Sequence, residues 1–277
     1  MSSTAAIDRI EISPIADTTL KASAALWFLT AVAGQWIFAC YVLAYYGGAA
    51  LQGDFQAWNN VLPQGIIDGE PIGNAAMAAH LLVALIVSFC GALQLVPQIR
   101  ARAPAFHRWN GRVYLFAVVS ASLSGFYMVW TRGSASGPLG DVIISINGVL
   151  ILAFAALALR YAIARKIDTH RRWALRLYLV ANGVWFFRIG LMLWLLVHKG
   201  PVGFDPETFR GPFLTFLGLA QFLFPLAVLE LYFRARDSAG APGKYTMAAV
   251  LLVLTVAMGA GIFAATMGLW LPRLSPA

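Results

Sequence analysis

Apolar residues in this chain do not alternate with polar ones at a surface period. They run on for twenty residues or more, at about 22–46, 74–98, 108–131, 139–164, 171–197, 212–235 and 244–271. A helix rises about 1.5 Å per residue, so roughly 20 apolar residues cross a hydrocarbon core of about 30 Å. Lipid offers no partner to backbone N–H and C=O groups, so each run must satisfy its own as a helix. Turn-forming pairs separate the runs: Gly47-Gly48, Gly137-Pro138, Gly200-Pro201, Gly211-Pro212 and Pro242-Gly243. The pattern predicts an all-α, polytopic membrane bundle of seven transmembrane helices.

Composition agrees. Hydrophobic residues make up 60% of the chain, charged ones 12%, and mean hydropathy is +0.73. Soluble domains carry about 25% charged residues, too large a shortfall for a water-facing surface. The division is a tail over 1–21, one membrane domain over 22–271 and a short outer tail over 272–277. The first apolar run follows Asp8, Arg9, Glu11, Asp17 and Lys21. It is longer than the roughly 7–15 apolar residues of a signal peptide, so it reads as an uncleaved first helix. Cys40 and Cys90 lie in separate apolar runs, with no metal-ligand spacing, and read as packing residues.

The net charge of +8 sets topology and does not point to nucleic acid. Arg9 and Lys21 precede the first span. Arg100, Arg102, Arg108 and Arg112 join the second to the third. Arg160, Arg165, Lys166, Arg171, Arg172 and Arg176 join the fourth to the fifth, and Arg234, Arg236 and Lys244 the sixth to the seventh. The alternate gaps hold only Arg132, Lys199, Arg210 and Arg273. By the positive-inside rule the N-terminus is cytoplasmic and the C-terminus outside. Phe55, Trp58, Val61 and Leu62, in the long 47–73 connection, could form a short helix on the outer membrane surface or an ordinary ordered loop.

Two basic connections resemble each other. One reads His107-Arg108-Trp109-Asn110-Gly111-Arg112-Val113-Tyr114, the other His170-Arg171-Arg172-Trp173-Ala174-Leu175-Arg176-Leu177-Tyr178. Each opens an outward-directed span, which suggests two related hairpins forming a four-helix core. The same residues resemble the DUF2306 family of predicted bacterial membrane proteins. The matching pattern is His80, Gly91-Ala92-Leu93-Gln94, Arg100, Arg102, the His107–Tyr114 run, the His170–Trp173 run and Arg188, over roughly 74–198. The resemblance implies a multi-pass protein of the bacterial inner (plasma) membrane, and brings no activity with it.

Ionisable groups inside a bilayer are functional candidates. Helix rise places His80 roughly 9 Å below the outer boundary, Asn147 roughly 12 Å, and Arg188 and Gln221 roughly 14 Å. These four could face one cavity. Arg188 keeps its proton and has no acidic residue at its depth, so its partner could be a ligand: a small anion, a lipid phosphate, a quinone carbonyl or a haem propionate. The histidines form a second constellation, with His107 and His170 at the inner boundary and His80 and His198 towards the outer. Two bis-histidine pairs on facing helices would resemble, in layout, a b561-like two-haem cytochrome and hold haem b. His198 sits roughly 9 Å out of register with His80, and no metal set is evident beyond that possible haem iron. Three functions stand open. The first is haem- or quinone-linked electron transfer through His80, His107, His170, His198 and Arg188. The second is transport or reception of a small anion or lipid through His80, Asn147, Arg188 and Gln221. The third is a scaffold or assembly factor without ligand. No phosphate loop, Cys-x-x-Cys, His-Glu-x-x-His or dinucleotide fingerprint is present, so the sequence indicates no particular enzyme class.

Overall fold

The computed structural model describes residues 14–62 and 64–274; Arg9 of the N-terminal tail and the last three residues of the outer tail lie outside them. Regular structure among the described residues is helical, with one isolated bridge between Asp205 and Arg210. In chain order come α1 (Pro14–Val42), a π-helical turn (Leu43–Gly47), α2 (Gly48–Leu51) and a 3-10 turn (Phe55–Asn60). Then follow α3 (Pro71–Leu95), α4 (Pro97–Arg102), α5 (Pro104–Arg132) and α6 (Gly137–Ile163). The remainder is α7 (Ile167–Ala181), α8 (Gly183–His198), α9 (Pro212–Ser238), α10 (Ala241–Ala265) and a second π-helical turn (Thr266–Trp270).

Six helices are each long and apolar enough to cross a membrane, and the bent pair α7 and α8 brings the number to seven if it is one span. A helix or the bent helix pair lies at each expected run, and several begin earlier than the apolar runs. Proline in the first turn opens α3, α5, α6, α9 and α10, where its missing N–H is no loss. The apolar runs start later because the first turns of α3, α6 and α10 hold proline and glycine, as in Gly137-Pro138 and Pro242-Gly243.

The fifth span departs from expectation. It is bent by 53° between α7 and α8. Asn182 supplies the cause. Its Nδ2 donates to the Tyr178 carbonyl at 2.8 Å, the acceptor an unbroken helix would reserve for the Asn182 N–H. That N–H turns instead to Leu179 O at 3.2 Å. Gly183 follows, with little helix preference of its own to resist the break.

The helices pack as an antiparallel bundle. α3 lies along α5, α5 along α6 and α6 along α7, and α3 also touches α7, so these four helices share one core. Val83, Val87, Tyr114, Ala117, Val118, Ala155 and Leu177 fill it. α1 and α10 pair alongside, α10 also packs on α8, and α9 lies against α6, α7 and α8. The basic connections gather at one end. There Asp17 pairs with Lys244 at 2.6 Å, Arg176 with Glu230 at 2.7 Å, and Arg172 with Asp237. At the opposite end Arg132 clamps the long connection, donating to Gln64 O, Gly65 O, Asn74 Oδ1 and Glu70 Oε2. Within that connection Phe55 and Trp58 sit on the 3-10 turn. Its Trp58 is buried and donates from Nε1 to Tyr46 O at 3.1 Å, folding the 3-10 turn back onto the first span.

Candidate functional site

The motif carried by α3 and α5 is first a packing device. Asn110 Nδ2 donates to Cys90 O at 2.9 Å, and Gln94 Nε2 to His107 O at 3.0 Å. A buried and a half-buried polar side chain are thus spent on carbonyls of the facing helix. Gly91 sits under both repeat tyrosines. A Cβ there would lie 2.9 Å from Tyr114 Cε2 and 3.4 Å from Tyr178 Cδ2. The two copies of the repeat therefore converge on one glycine, with Tyr178 donating onward to Gln35 Oε1 at 2.8 Å.

The polar layer expected in the outer half is partly assembled. His80, Asn147 and Arg188 line one cavity of about 380 Å³ in the half of the bundle away from the basic end. Gln221 lines two other cavities instead, and its Nε2 donates to Gly218 O at 2.8 Å. It still approaches the layer from behind. A Cβ at Gly183 would lie 3.1 Å from Asn147 Nδ2 and 3.5 Å from Gln221 Oε1, so the first turn of α8 packs closely between the two amides.

Arg188 projects from α8, one turn beyond the bend. It donates to Val184 O on its own helix at 3.1 Å, and its guanidinium lies 5.2 Å from the centre of the Phe38 ring. Among the described residues no carboxylate reaches it. The cavity has no Asp or Glu in its wall, and it contains a second cation, Arg273. Two indoles, Trp185 and Trp270, are almost fully buried in the same wall, and neither Nε1–H has a hydrogen-bond partner. Asn147 Oδ1 is unpartnered as well. An unsatisfied buried donor costs roughly 1–3 kcal/mol, which a bound acceptor would recover.

The two π-helical turns position this wall. Leu43–Gly47 in the first span carries Tyr46, and Thr266–Trp270 in the last carries Trp270. A π turn widens the helix and re-aims its side chains, and such turns often border functional sites. Sequence reading missed Tyr41, Tyr46, Trp185, Trp270 and Arg273. Most of these aromatics fall at span ends, where they look like an interfacial belt, and π register leaves no mark in a hydropathy profile.

His80 is held by α5. Ser124 Oγ has one proton, and it lies 2.8 Å from Ser120 O on its own helix. The 2.9 Å contact between His80 Nδ1 and Ser124 Oγ is then an Nδ1–H donation. This leaves Nε2 with its lone pair free for an acceptor role.

The other histidines are placed differently. His198 is exposed, its ring tilted 31° and centred 3.7 Å from the Trp194 ring centre, with Nδ1 beside Trp194 O at 3.1 Å. It does not line the His80 cavity, so no outer bis-histidine pair is assembled. At the basic end His170 Nδ1 donates to Ala158 O at 2.8 Å, and His107 Nδ1 is buried without a partner. These two are near enough to influence each other electrostatically, yet neither lines any of the three cavities described. Among the described residues no cluster of three or more His, Cys, Asp or Glu could hold a metal ion.

Residues 77–207 match the family described as "Predicted membrane protein (DUF2306)". No curated protein and no solved structure gives a match. The matched stretch runs from α3 through α8 and takes in His80, Asn147 and Arg188, whereas Tyr41, Gln221, Trp270 and Arg273 lie outside it. The resemblance read from the His80-to-Arg188 pattern is therefore matched over that stretch, a little under half of the chain.

Proposed function

We propose that this protein binds an anionic, otherwise apolar small molecule in the cavity around Arg188, as a transporter or receptor in a bacterial plasma membrane with its basic end in the cytoplasm. The observation that carries the reading is Arg188 itself: a guanidinium deep in a spanning helix, facing a cavity with a second arginine and no carboxylate. Intramembrane charges are costly and tend to be kept where they meet a partner. Here the partner is the ligand's acidic group. The unpartnered Trp185 and Trp270 N–H groups supply further donors, and the apolar remainder of the wall suits a hydrocarbon body.

The test uses dibromostearate, a fatty acid whose bromines quench tryptophan, on the whole protein in detergent. Trp185 and Trp270 line the cavity, so binding gives saturable quenching in a Trp27→Phe background, which silences the tryptophan of a different cavity. Arg188→Met removes at least one charge-assisted hydrogen bond, about 1.5–3 kcal/mol, and weakens binding about 10- to 150-fold. The methyl ester of the same acid, lacking the charge, binds no more tightly to the wild type than to Arg188→Met. Saturable quenching that is indifferent to Arg188→Met, or equal for acid and ester, overturns the proposal.

A further inference from the structure

A separate cavity of about 480 Å³ runs between α1, α7, α8, α9 and α10. It shares no lining residue with the Arg188 cavity. Its walls are largely apolar, built from side chains such as Trp27, Phe28, Leu175, Phe224, Val228 and Leu254. It reaches from Arg171 and Arg236 at the basic end to Leu217 in the opposite half. Along α9, Leu217 and Arg236 are roughly 28 Å apart at about 1.5 Å per residue, which is nearly a full hydrocarbon core. The groove is therefore long enough for one extended acyl chain entering from the basic side.

The mouth carries the charge such a chain's headgroup would need. Arg172 and Arg236 both pair with Asp237, and Arg176 pairs with Glu230. Arg171 lines the same cavity, is exposed, and has no hydrogen bond or ion pair among the described residues. Three arginines share two carboxylates beside it, so the mouth has two positive charges in excess. A basic pocket between helices is the arrangement that selects anionic phospholipid headgroups.

We infer that this groove is a second site, which takes one acyl chain of an anionic phospholipid with its phosphate on Arg171. The occupant is a lipid of the leaflet facing the basic end. A free fatty acid in the Arg188 cavity would leave Arg171 unused, so the two sites fail or hold independently.

Native mass spectrometry of the full chain from detergent, titrated with dioleoyl phosphatidylglycerol or dioleoyl phosphatidylcholine, tests this. The wild type retains phosphatidylglycerol in preference to phosphatidylcholine. Arg171→Ala weakens that retention about fivefold, the contribution of one basic residue at a lipid headgroup, and Arg171→Lys restores it. Filling the groove from either wall, with Ala220→Phe or Ala257→Phe, removes it in a variant that remains monodisperse. Two filling sites on different helices guard against a single substitution that fails to fold. Equal retention of the two lipids overturns the inference. So does loss with Arg171→Ala alone while both filled variants bind normally, since that describes a lipid on the outer surface.

Discussion

Arg132 ends α5 and Arg188 lies within α8, and their surroundings predict opposite behaviour on replacement by methionine. Arg188→Met deletes one hydrogen bond to Val184 O at 3.1 Å and a cation–π contact to Phe38 at 5.2 Å. It also removes a charge that costs about 2.5–3.5 kcal/mol on an insertion scale. The contacts offset that cost by about 1 kcal/mol from the aromatic face and about 1.5 kcal/mol from the hydrogen bond. The terms nearly cancel, so stability changes by less than about 1 kcal/mol. Arg132 is different. Its side chain is 4% exposed and serves Gln64 O, Gly65 O, Asn74 Oδ1 and Glu70 Oε2. Glu70 is 51% exposed, so the ion pair by itself contributes under about 1 kcal/mol. The larger loss in Arg132→Met is that of the remaining acceptors, giving a destabilisation of about 3 kcal/mol. Both free energies can be measured by titrating the folded protein in mixed micelles with sodium dodecyl sulfate and following helix content. If Arg188→Met is destabilised as much as Arg132→Met, Arg188 is a structural residue and the reasoning that assigns it to a ligand is refuted.

Two further outcomes follow from the same geometry. Gly91→Ala forces a Cβ to within 2.9 Å of the buried Tyr114 ring, so overpacking destabilises the bundle by about 1–3 kcal/mol in the same titration; an unchanged midpoint would mean that α3 and α5 do not approach so closely. In the connection after α8, Asp205 accepts from the Glu207 N–H at 2.8 Å and the Thr208 N–H at 3.4 Å, and these bonds hold its carboxyl below the usual carboxylate range. Because the folded value is the lower one, the turn's contribution is complete above an unfolded pKa of about 3.9 and fades as pH falls through the folded value. Hydrogen-exchange protection of the Glu207 amide declines accordingly in acid, whereas Asp205→Asn gives a flat profile; a flat wild-type profile would exclude the carboxylate from the turn.

Some features were legible in the sequence because they depend on the solvent alone. A bilayer requires long apolar helices, and charge asymmetry between alternate connections marks their ends, so the spans could be read without knowing any contact. The absence of a carboxylate for Arg188 was equally legible, because it follows from which residue types occur at one depth. The repeat was visible as well, although its meaning was not: Tyr114 and Tyr178 meet over Gly91 only in three dimensions.

Tertiary structure decided everything that depends on helix rotation and on local competition for hydrogen bonds. Depth counting put Gln221 in the Arg188 layer, but rotation of α9 turns it toward other cavities. The break in the fifth span comes from Asn182 taking the Tyr178 carbonyl, which hydropathy cannot register. The two π turns bring Tyr46 and Trp270 to the wall beside Arg188. Hydropathy and charge fix position along the membrane normal. Rotation about each helix axis is set by packing against neighbours, and it is rotation that selects which polar side chains share a cavity.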